Sequence, residues 1–303
     1  MLTKKICWVP MYSDVKNFAS TRIRLYYPND SINKYHNEKY SSEIGFNIEA
    51  EILIIQKRID NQTLNYAKVF DGLKIFDFDD PVHDKPLFKT MMENIDLVTT
   101  DTLGRKEHFD SLGTGKKCVV IEDCLDYGIV DLLDTPDVKN KIAWFGNYPN
   151  LSSITWALDE IVRNGFQLDL ITDAKAISTP PTIKKTQWHL ETFVNDLRQS
   201  NVCILSHRGS DSGIKSNNKM IVAIAAGVPC VVDSSRSYQE LAREFNLGDY
   251  IVNDNKSLKN ALELLNDIDN RKKYLFDIQP FILNTLSTKV ITNKLIKLIE
   301  ENA

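Results

Sequence analysis

The sequence lacks the motifs that mark several common enzyme classes. It contains neither a Walker A pattern nor Gly-x-Gly-x-x-Gly, which argues against P-loop ATPases and standard dinucleotide-binding proteins. Gly-x-Ser-x-Gly, the nucleophile turn of α/β-hydrolases, is absent as well. None of the five cysteines forms a Cys-x-x-Cys pair, and no His/Cys cluster has the spacing of zinc ligands. We therefore expect no bound metal and mostly buried, reduced thiols.

Glycine, proline and long apolar runs are also scarce. With 12 glycines and 10 prolines among 303 residues, collagen-like and low-complexity proteins are excluded. The longest apolar stretch, residues 220–232, is too short to span a bilayer, and the first residues show no secretory pattern. We therefore expect a cytoplasmic protein. The net charge of −4 argues against a dedicated nucleic-acid binder, which usually carries a basic excess.

Short apolar runs alternate with helical windows along most of the chain. Runs typical of buried parallel strands lie at 4–10, 50–56, 73–79, 96–101, 116–123, 141–146, 166–172, 201–207 and 229–234, with a further candidate at 249–252. Helical windows between them include 154–165, 191–199 and 218–227. This alternation predicts an α/β protein with right-handed crossovers.

The alternation pauses once, and the pause predicts a domain boundary. Residues 132–141 contain Pro136 and mostly charged or polar side chains, as in a linker. We therefore predict one α/β domain at 1–135 and a second at 136–303, with the amphipathic last helix in the second. Residues 1–138 carry 17 Lys+Arg against 23 Asp+Glu, a net charge of −6, and the remainder carries 20 against 18, a net of +2. The second domain is thus better suited to anionic ligands.

The segment around residues 207–232 is the most informative. A strand ends near His207, a polar loop follows, and a helix is predicted to begin near Ser216 with Ser216 as its N-cap. Lys215 and Lys219 flank this helix start, where the dipole disfavours cations unless an anion joins them. A phosphate there would gain from the free backbone N–H groups and both ammonium groups. The alternative is a solvated helix start with incidental lysines.

Two segments of the first domain combine polar groups that suit a substrate. Asp80 and His83 lie in DFDDPVHD (77–84), which could bind a metal, take a proton or hold sugar hydroxyls, or could simply form a turn or helix cap. Residues 18–40 mix arginines and lysines, including Arg22, with tyrosines. That mixture suits sugar rings, a membrane surface or single-stranded nucleic acid, and it equally suits an amphipathic helix with buried tyrosines.

Taken in order, these features resemble glycosyltransferases of the GT-B fold, in the style of family 4. Residues 95–127 resemble the end of that fold's acceptor domain, with Asp126 matching its final turn. KIAWFGNYPN resembles the first strand and glycine loop of the donor domain, with Gly146 in the matching place. SNNKMIVAIAAGVPCVV resembles the donor helix, with Gly227 and Pro229 matching. Where the family usually carries two glutamates, this chain has Ile214 and Val222.

The resemblance implies two Rossmann-like domains with parallel sheets that face each other across a cleft, and a nucleotide-sugar donor bound by the second. Contacts with the donor phosphates are then expected from Lys215, Ser216, Asn217, Lys219 and Gly146. Contacts with the nucleotide or sugar are expected from Asn147, Trp188, Arg208 and Tyr238, although Trp188 could instead be a core residue. The expected catalytic residues are Asp14, Asp80 and His83 as bases and Arg22 as a further cation. The resemblance implies no essential metal or other cofactor.

The expected reaction is transfer of a sugar to a saccharide or a lipid-linked acceptor, in the style of bacterial surface polysaccharide assembly. A lipid-linked acceptor would bring the protein to the inner face of the membrane as a peripheral contact. Two other functions stay open. The missing glutamates favour a degenerate transferase that binds a nucleotide or glycan without turnover. A transferase that glucosylates DNA bases would need salt-sensitive DNA binding, which the acidic first domain disfavours.

Overall fold

Two compact units make up the structure. The computed structural model describes residues 3–80, 86–174, 181–209 and 213–303. Residues 1–124 together with 285–303 form the first unit, and residues 125–284 form the second. Within the described residues, every strand pairing in the two sheets is parallel, in one sheet of six strands and one of five. The α/β class predicted from the alternating pattern is therefore confirmed.

The six-stranded sheet of the first unit has the order β2-β1-β3-β4-β5-β6. Its strands are β1 (Lys4–Val9), β2 (Tyr40–Ile44), β3 (Ile52–Gln56), β4 (Leu73–Phe78), β5 (Leu97–Thr100) and β6 (Cys118–Val120). The central strands are continuous apolar runs because helices cover both faces of the sheet. Their side chains, among them Leu53, Phe76 and Val98, form a buried core with Phe88 and Phe109 from the covering helices.

Helices of the first unit connect these strands. A short turn, α1 (Ala19–Thr21), leads through a π-helical segment (Arg22–Tyr26) into α2 (Tyr27–Tyr35). The crossovers are α3 (Asn61–Val69), α4 (Pro86–Glu93) and α5 (Leu103–Ser111). Asp60 and Thr102 begin two of them by accepting hydrogen bonds from the backbone N–H groups of Thr63 and Arg105, as N-cap side chains do.

The five-stranded sheet of the second unit has the order β11-β10-β7-β8-β9. Its strands are β7 (Lys141–Phe145), β8 (Gln167–Thr172), β9 (Ile183–Gln187), β10 (Val202–Leu205) and β11 (Cys230–Val232). A 3₁₀ helix (Tyr148–Ile154) follows β7. The helices are α6 (Thr155–Arg163), α7 (Phe193–Leu197), α8 (Asn218–Ala225), α9 (Arg236–Glu244), α10 (Asn255–Leu265) and α11 (Ile268–Leu286).

The chain divides differently from the sequence prediction in two respects. The units separate at Cys124/Leu125 rather than at 135/136. Residues 125–135 belong to the second unit because their backbone is held there: Gln279 Nε2 donates to the Leu133 carbonyl at 2.9 Å, and Arg198 Nη1 donates to the Asp134 carbonyl at 2.8 Å.

The last helix, α12 (Thr288–Glu300), belongs to the first unit and not to the second. Asn293 pairs with His36 at 2.9 Å, and Lys294 pairs with Glu122 at 2.9 Å. The apolar side chains of the helix, including Ile291 and Ile299, are buried. The amphipathic pattern predicted the helix, whereas the choice of packing partner depended on tertiary contacts.

The backbone at position 227, just after α8, has room only for a glycine. Its φ of +79° lies in the left-handed region, and an added Cβ would lie 2.4 Å from the Leu133 carbonyl oxygen. The helix end and the strap formed by residues 125–135 therefore approach each other too closely for any side chain. This glycine and Pro229 are the two residues that carried the resemblance to the donor helix.

All nine of the predicted buried strands are present, but two strands were missed. Both β2 and β9 lie at the edge of their sheets and carry polar, half-exposed side chains, so neither has an apolar run. The further candidate at 249–252 forms only an isolated bridge at Ile251. All five cysteines are buried and free, as predicted. Among the described residues, no helix has both the length and the hydropathy to cross a membrane.

Candidate functional site

The carboxyl ends of β10 and β11 are tied together by a buried carboxylate. Asp233, directly after β11, accepts hydrogen bonds from the Ser206 hydroxyl and the His207 backbone N–H, both at 2.7 Å. It also accepts from the backbone N–H and the hydroxyl of Ser235. Four donors compensate the burial of this charge and hold the two loops in one arrangement.

Lys219, in the first turn of α8, is a half-buried cation at the end of β7. Its Nζ lies 2.9 Å from where a Cβ of Gly146 would be, and 5.7 Å from the centre of the Trp144 ring. Within the described residues, no carboxylate lies within ion-pair distance of this ammonium. Burial lowers the pKa of Lys219 to about 8, and the charge of Lys215 acts in the same direction. A cation that lacks a counter-charge favours an anionic ligand.

His207 holds the segment that leads into α8. Its Nε2 lies 2.9 Å from the Ser216 carbonyl, and its ring stacks on the Tyr238 ring with centroids 4.5 Å apart. Burial, assisted by the charge of Lys219, lowers the pKa of His207 to about 4. The imidazole is therefore neutral at pH 7, and since a carbonyl can only accept, Nε2 is the donor.

A polar pocket of about 150 Å³ lies beside these residues. Hydroxyl, amide and cationic groups line it together with His207: Asn150, Ser152, Ser153, Ser206, Arg208 and Lys215. The Arg208 guanidinium lies 3.7 Å from the centre of the Trp156 ring and donates to the Asn253 carbonyl at 2.7 Å. The pocket thus combines two cations with hydrogen-bonding groups at the carboxyl edge of a parallel sheet, where α/β folds bind ligands.

The structure brings most of the predicted donor residues together. Lys215 and Arg208 line the polar pocket, Ser216 contacts His207, and Lys219 extends beneath Gly146. The N-cap of α8 is Asn217 rather than Ser216. The Asn217 side chain makes no capping hydrogen bond, and the Ser216 carbonyl before it pairs with His207.

Three predicted nucleotide or sugar contacts lie in other surroundings. Tyr238 is fully buried behind His207, so its side chain positions that imidazole and has no surface for a ligand. Trp188 is half-buried at the end of β9, where its Nε1 donates to the Tyr127 hydroxyl at 3.3 Å. Asn147 is exposed at the start of the 3₁₀ helix, and its side chain makes no capping bond.

At the carboxyl edge of the first sheet, one lysine joins two carboxylates. Lys57 follows β3, and its Nζ lies 3.0 Å from Asp79 Oδ1 and 2.5 Å from Asp80 Oδ2, both of which follow β4. It also donates to the Ser20 hydroxyl at 3.0 Å. The Asp79 side chain is 11% exposed and that of Asp80 62%. Burial raises the pKa of Asp79, although the Lys57 charge opposes the rise.

A second charged cluster lies deeper in the first unit. Arg24 makes a bidentate pair with Asp77, at 2.9 and 2.6 Å, and also pairs with Asp123 at 3.0 Å. Asp101 pairs with Arg105, one turn along α5, and burial raises the pKa of Asp101 to about 7. The side chains of Arg24, Asp77, Asp101 and Arg105 are 5% exposed or less, so these pairs attach the π-helical segment and α5 to the sheet and are shielded from solvent.

The predicted catalytic residues of the first domain differ in their surroundings. Asp14 is exposed and accepts from the backbone N–H and side-chain amide of Asn17, and these hydrogen bonds lower the pKa of Asp14. Arg22 is 1% exposed and donates to the Lys16 carbonyl at 2.5 Å, so it is enclosed in its own unit and is not a free cation. Asp80 pairs with Lys57, and His83 lies outside the described residues.

Sequence reasoning named Asp80 and missed Asp79, which is the more buried of the two aspartates. DFDD supplies both side by side, and only the tertiary structure shows which of them is buried. Within residues 3–80, 86–174, 181–209 and 213–303, no group of three or more His, Cys, Asp or Glu side chains is arranged to hold a metal ion.

Solved structures with the same fold provide the comparison with known proteins. No family model matches the sequence, and no curated protein matches it. The DNA modifying enzyme β-glucosyltransferase is 13% identical with a TM-score of 0.65, over 98% of this chain and 99% of that one. HepE of Anabaena, in complex with UDP-glucose, is 8% identical with a TM-score of 0.69, over 98% and 99%. The lipopolysaccharide outer core galactosyltransferase WaaB is 12% identical with a TM-score of 0.59, over 99% and 100%.

These likenesses extend over whole chains at low identity, so they establish the fold. The chain has the GT-B type of α/β fold, with two parallel-sheet units. The finer assignment to family 4 stays a prediction.

Proposed function

We propose that the protein is a glycosyltransferase that takes a sugar from a nucleotide-sugar donor. The observation that carries this proposal is Lys219, a half-buried ammonium beneath Gly146 that has no carboxylate partner among the described residues. A diphosphate would supply the missing negative charge. The fold supports the proposal, since HepE and the β-glucosyltransferase share it and both were solved with UDP-glucose.

The second unit would stabilise the leaving group. As the bond between the sugar C1 and the phosphate oxygen breaks, negative charge develops on that oxygen. Lys219, Lys215 and the uncapped N–H groups at the start of α8 would stabilise this charge where it develops. In this mechanism side chains and backbone supply the positive charge, so we propose that no metal is required.

The first unit would activate the acceptor. Asp79 is the carboxylate best suited to remove the proton of an acceptor hydroxyl, because Lys57 fixes its position and burial raises its pKa. Asp14 is a poorer base, since hydrogen bonds from Asn17 lower its pKa. An aspartate base of this kind corresponds to direct displacement at C1, with inversion of the sugar configuration.

A thermal-shift experiment tests donor binding. Saturating UDP, UDP-glucose, GDP or CMP should raise the melting temperature by mass action, and a ligand at about 100 times its Kd stabilises by about 3 kcal/mol. Lys219→Met should abolish the shift of the best nucleotide. Lys259→Met is the matched control, because Lys259 lies on α10 of the same unit and only approaches Glu263 at 3.8 Å on the surface. If no nucleotide shifts the wild type, the proposal fails.

A binding protein without turnover is the second candidate. The observation that favours it is Val222, which is fully buried in α8 at a position where the resembling family carries a glutamate. Release of UDP from UDP-glucose by the purified protein would favour the transferase. Tight nucleotide binding without any release would favour the binding protein.

A further inference from the structure

Five buried charged side chains of the first unit form a cluster with more carboxylates than cations. Asp77 of β4, Asp101 after β5 and Asp123 after β6 pair with the guanidinium groups of Arg24 and Arg105. The Asp123 side chain is 11% exposed, and the other four are 5% exposed or less. Three carboxylates and two guanidinium groups leave one negative charge uncompensated. Because burial of such a charge is costly, the cluster favours the uptake of a proton.

Neighbouring cations do not compensate this charge, because each already has its own partner. Lys57, after β3, is shared by Asp79 and Asp80 at 3.0 and 2.5 Å. Lys294 of α12 pairs with Glu122 at 2.9 Å. Among the described residues, the excess negative charge therefore stays with the three aspartates of the cluster.

The number of hydrogen-bond donors decides which carboxylate takes up the proton. Asp77 accepts from Arg24 at 2.9 and 2.6 Å and from the Thr99 hydroxyl at 2.7 Å. Asp101 pairs with Arg105, and its other contact among the described residues is 3.4 Å from the hydroxyl of the preceding residue. Since donors stabilise the ionised form, Asp101 is the carboxyl that holds the proton.

Arg24 also holds the end of the first unit's chain before it passes to the second unit. Its Nη1 donates to the Ile121 carbonyl and to Asp123 Oδ1, both at 3.0 Å. The Cys124 thiol donates to the Ile23 carbonyl at 3.1 Å. Both contacts attach the chain end to the π-helical segment, and the Asp123 contact links this attachment to the charge of the cluster.

The proton on Asp101 exchanges near neutral pH. Burial, together with the charge of Asp123, raises the pKa of Asp101 to about 7. Below that pH the carboxyl is neutral, and above it the carboxylate repels Asp123. Asp123 is the most exposed of the three aspartates, so it is the one that moves towards water and away from Arg24.

We infer that the cluster is a pH-sensitive switch for residues 121–124. With a proton on Asp101, these residues are held against the π-helical segment, and loss of the proton loosens them. The switch lies within the first unit, and it requires neither a nucleotide nor a sugar.

Labelling of Cys124 with N-ethylmaleimide, mapped by mass spectrometry on the full chain, tests the inference. Cys124 is fully buried, so its thiol reacts only when residues 121–124 open. Wild type and Asp101→Asn are compared at the same pH, which cancels the ionisation of the thiol itself. Because asparagine resembles the protonated carboxyl, both proteins should label alike at pH 6. At pH 8 the wild type should label roughly tenfold faster, which corresponds to a coupling of one pKa unit.

Three controls accompany the comparison. Cys7 and Cys230 are fully buried in the first and second sheets, and their labelling rates should be equal in the two proteins at both pH values. Asp71→Asn removes an exposed carboxylate of the same unit and should label like the wild type. Circular dichroism checks that each variant is folded.

A second variant, Asp123→Asn, keeps the test decisive if Asp101→Asn does not fold. It removes the carboxylate that is repelled, so the ratio of wild-type to variant labelling at Cys124 should again rise from pH 6 to pH 8. A ratio that does not change with pH would overturn the inference. A parallel rise at Cys7 would overturn it as well, because the whole unit would then be opening.

Discussion

Replacing Lys219 with methionine should make the ligand-free protein more stable. The side chain is half-buried without a carboxylate partner in the described structure, so its charge opposes folding. Methionine retains a long apolar side chain in the same space and removes the charge. A residue that serves only the fold would give the opposite result, because its loss would destabilise the protein.

The pKa of Lys219 sets the expected magnitude. It falls from 10.5 to about 8 on folding. At about 1.4 kcal/mol for each pH unit, the charge destabilises the folded state by up to about 3 kcal/mol below pH 8. Because the folded-state pKa is the lower one, this destabilisation declines as the pH rises from 8 to 10.5. The gain in the variant should therefore be largest near pH 7 and should shrink towards pH 10.

Urea unfolding followed by tryptophan fluorescence provides the assay. Three of the four tryptophans, Trp144, Trp156 and Trp188, lie in the second unit, so the signal mainly reports that unit. Chloride buffers without phosphate are needed, since phosphate would itself neutralise Lys219. The surface control Lys259→Met should change stability by less than about 0.5 kcal/mol. A Lys219→Met variant less stable than wild type at pH 7, with a gap that does not narrow at higher pH, would refute the reasoning.

Three further predictions concern catalysis, backbone geometry and metal dependence. Asp79→Asn should lower UDP-glucose turnover about 100-fold or more while nucleotide thermal shifts stay unchanged. Asp80→Asn should lower turnover much less, and equal losses of turnover in both variants would count against Asp79 as the base. Gly227→Ala should destabilise the protein by about 3 kcal/mol in the same urea assay, because the added Cβ would meet the Leu133 carbonyl. The control is Gly165→Ala, where φ is +73° and the space around the residue is open. That variant should lose only about 1 kcal/mol, which measures the backbone strain alone. A chelator should leave turnover intact, and inhibition that Mg²⁺ reverses would restore a metal role for the aspartates after β4.

Local sequence signals were sufficient for the class of fold and for the position of two lysines near the start of α8. Continuous apolar runs identified every strand that is covered on both faces, because a strand buried on both faces consists mostly of apolar residues. Lys215 and Lys219 could be placed near a helix start because a strand end, a polar loop and an apolar helix are read from consecutive residues. Gly227 was also readable, as a glycine at the end of a helical window.

Contacts between residues far apart in the chain decided the rest. The edge strands β2 and β9 are polar and form only because a neighbouring strand pairs with them. The last helix joined the first unit through partners more than 150 residues away, such as Glu122. Burial separated Asp79 from Asp80 and enclosed Arg22 and Tyr238, and no local pattern reports how deeply a polar side chain is buried. The sequence by itself therefore determined which apolar segments form the buried strands and where cations cluster, because those properties are local. The tertiary structure alone decided which charges stay uncompensated, since that depends on what the folded chain places around them.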